Sequence, residues 1–355
     1  MTHPPRGVIP SLDGLRAIAV LLVILTHAGH TAGFPAGVQP EALGALGTLG
    51  VRIFFILSGF LITHLLLREE SRAGMVSLAR FYLRRVLRIF PAFYVYLLAM
   101  VVVGWLSGAA LPLDDLLSAA TYTINYDRAR VWVLGHAWSL GVEEQFYLLW
   151  PVAFTLLAMR GRVRWVVAVL ALGPISRLVT WRFFPSWQLM IGETFPTIAD
   201  ALASGVLLAI MRDRWHAMPS YRRILRSGML GLLPLGILLL NKLNAEVTVF
   251  GWLLGETMIN FAIVLVIDRV SSFPDTLSAR FLNLPPMVFL GHLSYSLYLW
   301  QQPFLPAAPA WVGQTFPVNI GLLFLAALAS FYLIEQPFLR LKARVGGSVG
   351  RGARG

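Results

Sequence analysis

The sequence predicts an all-α fold: a polytopic transmembrane bundle of about ten spans with both termini cytoplasmic. Three observations predict it. Of 355 residues, 57% are hydrophobic and only 13% charged, with a mean hydropathy of +0.71. Soluble domains carry about 25% charged residues, so this chain has too little polar surface for water. Apolar runs near the length needed to cross a bilayer recur along it, and the basic residues between those runs alternate from loop to loop.

In chain order the apolar runs cover 12–30, 48–67, 86–107, 145–159, 165–181, 196–211, 228–241, 249–267, 287–304 and 318–338. Pro303, Pro306, Pro309 and Pro317 punctuate the region between the last two. The organisation that follows is a short cytoplasmic N-terminus over 1–11, one transmembrane domain over 12–338, and a basic tail over 339–355. The end of that tail is rich in Gly and Arg and is expected to be disordered beside anionic lipid. The first run is not read as a cleavable signal, because Arg16 and His27 lie inside it and no small-residue cleavage site follows. No internal repeat is visible.

Orientation comes from the basic loops. Arg6, the stretch from Arg68 to Arg88, Arg160–Arg164, Arg212–Arg226, Arg269, Arg280 and the C-terminal tail hold 22 of the 29 basic residues. The intervening loops hold Arg128, Arg130, Arg182 and Lys242. The net charge of +12 is thereby a topology signal, and no nucleic-acid partner is expected. Cysteine is absent, which excludes disulfides, thiolate nucleophiles and Cys-ligated metals.

Ionisable side chains inside spans are costly and mark candidate functional positions. Arg16 and His27 are eleven residues apart, so they share one helix face about 16 Å apart. Snorkelling and an interfacial histidine would also account for that pair. The segment from Gly135 to Tyr147 brings Ser139, Glu143 and Glu144 into the fourth span from outside. The two glutamates diverge by about 100°, so one of them is expected to face the interior; helix-dipole compensation is the structural alternative. Asp200 opens the sixth span, Glu256 and Asn260 share a face of the eighth, and Glu335 ends the tenth. Interhelical hydrogen bonding and catalysis are both open for these acids. Arg85 and Arg88 share a face at the cytoplasmic start of the third span, a fork suited to phosphate, with Arg84 beside them as a positive-inside flank. There is no zinc motif, Gly-rich phosphate loop or nucleophile elbow, and no metal site is expected.

Six segments in order resemble the acyltransferase-3 family of integral membrane proteins. They are Ser11-Leu12-Asp13-Gly14-Leu15-Arg16-Ala17 leading to His27; Phe54 to Ile62 around Ser58; Arg85-x-x-Arg88; Trp138-Ser139-Leu140 through Tyr147; Ser294 to Trp300; and Glu335-Gln336-Pro337. The resemblance runs from about Ser11 to Phe338. It implies transfer of an acyl group such as acetyl or propionyl from acyl-coenzyme A to a hydroxyl of a saccharide, macrolide or envelope glycan, in the cell membrane. Acyl-coenzyme A is then a co-substrate, and no tightly bound cofactor is expected.

The resemblance also implies that Arg16 and His27 form the family's arginine–histidine motif, with His27 essential. It makes Arg85 and Arg88 look like the family's arginine pair near the coenzyme A entrance; Arg84 is grouped with them as cofactor-binding, and Ser58, Trp138, Ser139, Asp200, Tyr298 and Glu335 are taken as substrate-binding candidates. The chain departs from the pattern after Trp300, where Gln301-Gln302-Pro303 stands in place of a histidine. It also ends soon after the tenth run, so the additional hydrolase-like domain of some members is not expected. Chemically, acyl transfer needs a base near neutral pH, which His27 supplies, with Glu143 or Glu144 to orient the imidazole. A transient acyl-histidine is the alternative route. A proton-coupled transporter of a sugar or lipid-linked substrate would bury similar groups, though it needs no phosphate-binding arginine pair.

Overall fold

In the computed structural model, residues 9–35, 37 and 40–347 are described. All ten expected runs are helical: α1 Pro10–Ala28, α2 Pro40–Ala73, α3 Leu78–Leu106, α4 Ala137–Leu156, α5 Met159–Phe183, α6 Phe195–Ala217, α7 Leu233–Glu246, α8 Glu256–Ser272, α9 Pro285–Trp300 and α10 Val318–Ser330. α10 runs through a π-helical turn, Phe331–Glu335, into α11, Gln336–Gly347. Helices suit this composition because a bilayer offers no partner for backbone polar groups, which must be satisfied within the segment.

Among the described residues, eight segments rather than ten are long and apolar enough to span. The two that fall short are α4, which carries Glu143, Glu144 and Gln145 in its first half, and α9, which has 16 residues. Of the expected tail, residues 339–347 continue α11 as helix, while 348–355, like 1–8 of the expected N-terminus, lie outside the described residues.

The chain divides into two compact units. Unit one comprises residues 1–26, 38–68 and 156–294. Within it α2 and α6 approach so closely that Gly59 faces the Leu202 carbonyl and Gly205 faces the Ile56 carbonyl, with no room for a Cβ at either. Small residues allow this backbone contact where lipid supplies no hydrophobic drive between helices. A buried ionic network crosses α5, α6, α8 and α2. Arg177 is 1% exposed and binds both carboxylate oxygens of Asp200 at 3.0–3.1 Å, and Asn260 donates to Asp200 at 3.3 Å. Arg52 binds Asn260 Oδ1 at 2.9 Å and pairs with Glu256.

Unit two comprises residues 27–37, 69–155 and 295–355. Its core is aromatic, with Phe93, Tyr96, Trp150 and Phe154 all at 0% exposure. Leu98, Leu148, Leu149 and Leu333 are exposed, an apolar exterior that suits lipid rather than water.

Candidate active site

The last turn of α1 delivers His27 into unit two, where its partner is Gln301, just past the end of α9. Nδ1 of His27 lies 2.9 Å from Gln301 Oε1, and Gln301 Nε2 donates to the Tyr298 carbonyl at 3.1 Å. The second bond fixes the amide, so Oε1 is the atom turned to the imidazole. An oxygen can only accept, which assigns the neutral imidazole proton to Nδ1 and leaves the lone pair on Nε2. Among the described residues no hydrogen bond occupies Nε2. Trp132 packs edge-on against the imidazole at 5.3 Å, and its indole N–H donates to the Gln302 carbonyl at 2.8 Å.

The start of α4 frames the same region. His136 immediately precedes this helix and is 3% exposed. Its ring meets Tyr96 edge-on at 5.5 Å and Tyr298 at 5.6 Å, and it feels the charge state of His27. Ser139 Oγ and the Tyr298 hydroxyl lie 2.6 Å apart, and both reach the His136 carbonyl, at 3.2 and 3.1 Å. Trp300 makes an edge contact with Tyr96 at 5.3 Å. Trp138 is half-buried on α4.

Glu143 and Glu144 lie about 10 Å further along α4 than His136, among different neighbours. Arg85 stacks on the Tyr147 ring at 4.8 Å, and the Tyr147 hydroxyl donates to Glu143 at 3.2 Å. Glu144 interacts electrostatically with Arg85 and Tyr122, and its Oε1 is buried without a hydrogen bond. Arg88 faces Glu335, which closes the π-helical turn and accepts from the Ser296 hydroxyl. Arg84 is ion-paired with Glu69 at 2.9 Å.

Two expectations change here. The hydrogen bond on the imidazole comes from the carboxamide of Gln301, not from Glu143 or Glu144. The arginine pair is not an isolated phosphate fork, since Arg85 and Arg88 already face carboxylates of their own unit. The expected split between the two glutamates takes a different form: both are half-buried, one bound to Tyr147 and the other holding an unpartnered oxygen. Arg16, Ser58 and Asp200 belong to unit one. There Arg16 binds Asp13 at 3.0 Å, Ser58 is half-buried on α2, and Asp200 is held in the ionic network.

Comparison with known proteins gives one family match, an acyltransferase domain over residues 9–335. The chain belongs to the acyltransferase-3 family. Among its curated relatives is O-acetyltransferase OatA of Staphylococcus aureus strain NCTC 8325 / PS 47, 29% identical over 94% of this chain and 58% of the relative. Another is the putative O-acetyltransferase SACOL0978 of S. aureus strain COL, 30% identical over 93% of this chain and 57% of the relative. The chain thus spans about 58% of the length of the curated relatives it matches. No solved structure matches. Membership in the acyltransferase-3 family together with the apolar helices makes this a multi-pass membrane protein.

Four residues around His27 were missed in the sequence. Gln301 stands where the family resemblance suggested a histidine, and its hydrogen-bonding capacity was overlooked once that histidine was absent. Trp132 carried no signal in the sequence, and Trp300 stood only at the end of the Ser294 to Trp300 segment with no role attached. His136 lay in a segment read as external, and only the packing of Tyr96 and Tyr298 around it reveals its burial. Tyr122 was equally silent, yet it is the one described non-glycine residue with positive φ, at 56°, a sparsely populated conformation. Gln145 holds its carbonyl at 3.0 Å, and Phe93 stacks on its ring at 4.7 Å.

Proposed function

We propose that this acyltransferase-3 chain moves an acyl group, most simply acetyl, from acyl-coenzyme A to a hydroxyl of a saccharide, macrolide or glycan, with His27 as the general base, in the cell membrane. The observation that carries the reading is the pairing of His27 Nδ1 with Gln301 Oε1. It presents Nε2 as a base while the ring is held from behind. As the hydroxyl oxygen attacks the thioester carbonyl carbon, Nε2 takes its proton. When the tetrahedral intermediate collapses, the carbon–sulfur bond breaks and the imidazolium returns that proton to the coenzyme A thiolate. A carboxamide fixes the tautomer as a carboxylate would, without adding charge.

Arg85 and Arg88 are proposed to receive the coenzyme A phosphates, exchanging part of their contact with Glu143, Glu144 and Glu335 for a more highly charged anion. Some 10 Å of α4 separates the glutamate level from the His136 level, an interval the slim pantetheine arm can cover. The names of the relatives favour acetyl as the acyl group and support oxygen as the atom acylated. Ser139, Tyr298 and Trp138 are proposed to line the acceptor side, beside His27.

The test is transfer of label from acetyl-, propionyl- and longer acyl-coenzyme A by the reconstituted protein to a panel of hydroxylated acceptors. Transfer of acetyl to an oxygen, lost in His27→Ala, is the expected result. Turnover that survives in His27→Ala would overturn the assigned base. Absence of transfer from every acyl-coenzyme A would overturn the donor.

A further inference from the structure

Buried polar atoms normally find partners, and an orphaned one in a native interior asks for a missing group. In unit two such atoms gather beside His27. Both ring nitrogens of His136 are buried without a well-aligned hydrogen bond, the Leu299 backbone lying near without closing one. The indole nitrogen of Trp300 is likewise buried and unpartnered. The two rings stand edge-on to one Tyr96 ring, at 5.5 and 5.3 Å. The neighbouring hydroxyls have their protons engaged elsewhere. The Tyr96 hydroxyl is spent on the Val133 carbonyl at 2.5 Å, and the Ser139 and Tyr298 hydroxyls bind each other. Trp300 directly precedes Gln301, so one stretch of chain holds the base and supplies a donor.

We infer that His136 and Trp300 form a two-donor pocket for the carbonyl oxygen of the acyl thioester, next to the His27 base. This rests on the acyl-transfer reading above and adds what that reading lacks, a place for negative charge. When the hydroxyl oxygen bonds to the thioester carbon and its proton goes to His27 Nε2, the carbonyl π pair moves onto oxygen. The Trp300 N–H and one His136 N–H hold that oxyanion until the pair returns and the thiolate leaves. An indole N–H and an imidazole N–H both suit the task, because each can donate to a developing oxyanion. Donors fixed by packing need no reorganisation as the charge develops.

The experiment uses the full chain in lipid nanodiscs with acetyl-coenzyme A carrying an isotope-labelled carbonyl, read by difference infrared spectroscopy alongside steady-state kinetics. The wild-type protein should bind acetyl-coenzyme A with its carbonyl band moved to lower wavenumber. Trp300→Phe and His136→Phe should each reverse much of that shift and lower kcat by about 10²–10³-fold, with the donor KM within a few-fold. His136→Gln, which keeps an N–H, should retain part of both. His27→Ala should lose turnover while keeping the shift. An unshifted wild-type band, or variants that leave band and kcat unchanged while His27→Ala is inactive, overturns the donor pocket alone. If wild-type protein binds no acetyl-coenzyme A, the acyl-transfer reading falls and takes the pocket with it. Should Trp300→Phe fail to insert, the His136 pair decides between the same outcomes.

Discussion

Two buried polar clusters in this molecule are built from similar materials to opposite ends. In unit one, Arg177, Asp200, Asn260 and Arg52 join four helices, and their hydrogen-bonding capacity is used internally: Arg177 reaches Asp200 and the Thr197 and Trp252 carbonyls. In unit two, His27 keeps Nε2 open, and the His136 nitrogens, the Trp300 indole and Glu144 Oε1 are left without partners. Intramembrane charge alone therefore does not mark a site. Closed networks bind helices together, whereas open ones, which cost free energy while empty, are where a polar substrate would find partners.

The largest effect expected from this contrast is at His27. His27→Ala should insert and fold, because the imidazole makes one hydrogen bond, yet lose about 10²–10⁴-fold in turnover. Gln301→Leu should cost less, since Nε2 survives but the tautomer is no longer held. Equal activity of wild type and His27→Ala, measured on protein of equal abundance, would dissolve the distinction between the clusters.

In unit one the same kind of change should act on stability instead. Asp200→Asn leaves Arg177 buried without its counter-charge, a loss of about 3–5 kcal/mol when a buried pair is broken from one side. The fraction surviving detergent extraction should fall, while activity per folded molecule stays near normal. Replacing both partners, as Arg177→Met with Asp200→Leu, should be milder than either change alone. A pure loss of kcat in stably folded Asp200→Asn would instead move Asp200 into the functional machinery, as the sequence reading of it as a substrate-binding candidate allowed.

How much of this was legible in the sequence follows from the kind of signal involved. Hydropathy is local, so the helices were found, with the shortfall at α4 and α9 traceable to Glu143, Glu144, Gln145 and to length. His27 stood out because a titratable group within an apolar run is rare. What pairs with what was not legible: the Gln301 partner lies 274 positions from His27, and nothing local indicates that Glu143 turns to Tyr147. His136 was misread because burial by aromatic residues from distant helices leaves no trace in its own neighbourhood.

The next effect in size separates the arginines. Arg88→Ala should raise the apparent KM for acyl-coenzyme A by about 10- to 150-fold, the worth of one charged hydrogen bond to a bound anion. The acceptor KM should change little. Arg88→Lys should recover only part, because an ammonium lacks the planar fork. An unchanged donor KM would leave Arg88 as the structural partner of Glu335.

Arg84 provides the smallest and sharpest comparison, because it is Arg85's neighbour in sequence but not in surroundings. Its guanidinium is half-buried and already paired with Glu69 at 2.9 Å, with Arg80 at 3.8 Å from the same carboxylate. A partly exposed pair of this kind contributes at most about 1 kcal/mol, and Arg80 remains to compensate Glu69 when Arg84 is lost. Arg84→Gln should therefore change stability slightly and leave the donor KM within about twofold. That expectation opposes the sequence reading, which grouped all three arginines as cofactor-binding. Measured side by side, Arg84→Gln and Arg88→Ala ask whether the partner a guanidinium already has decides its role. If Arg84→Gln raises the donor KM as far as Arg88→Ala does, the whole basic stretch attracts coenzyme A by its summed charge. Raising the salt concentration should then erase the difference between mutant and wild type, whereas a specific contact made by Arg88 would outlast it.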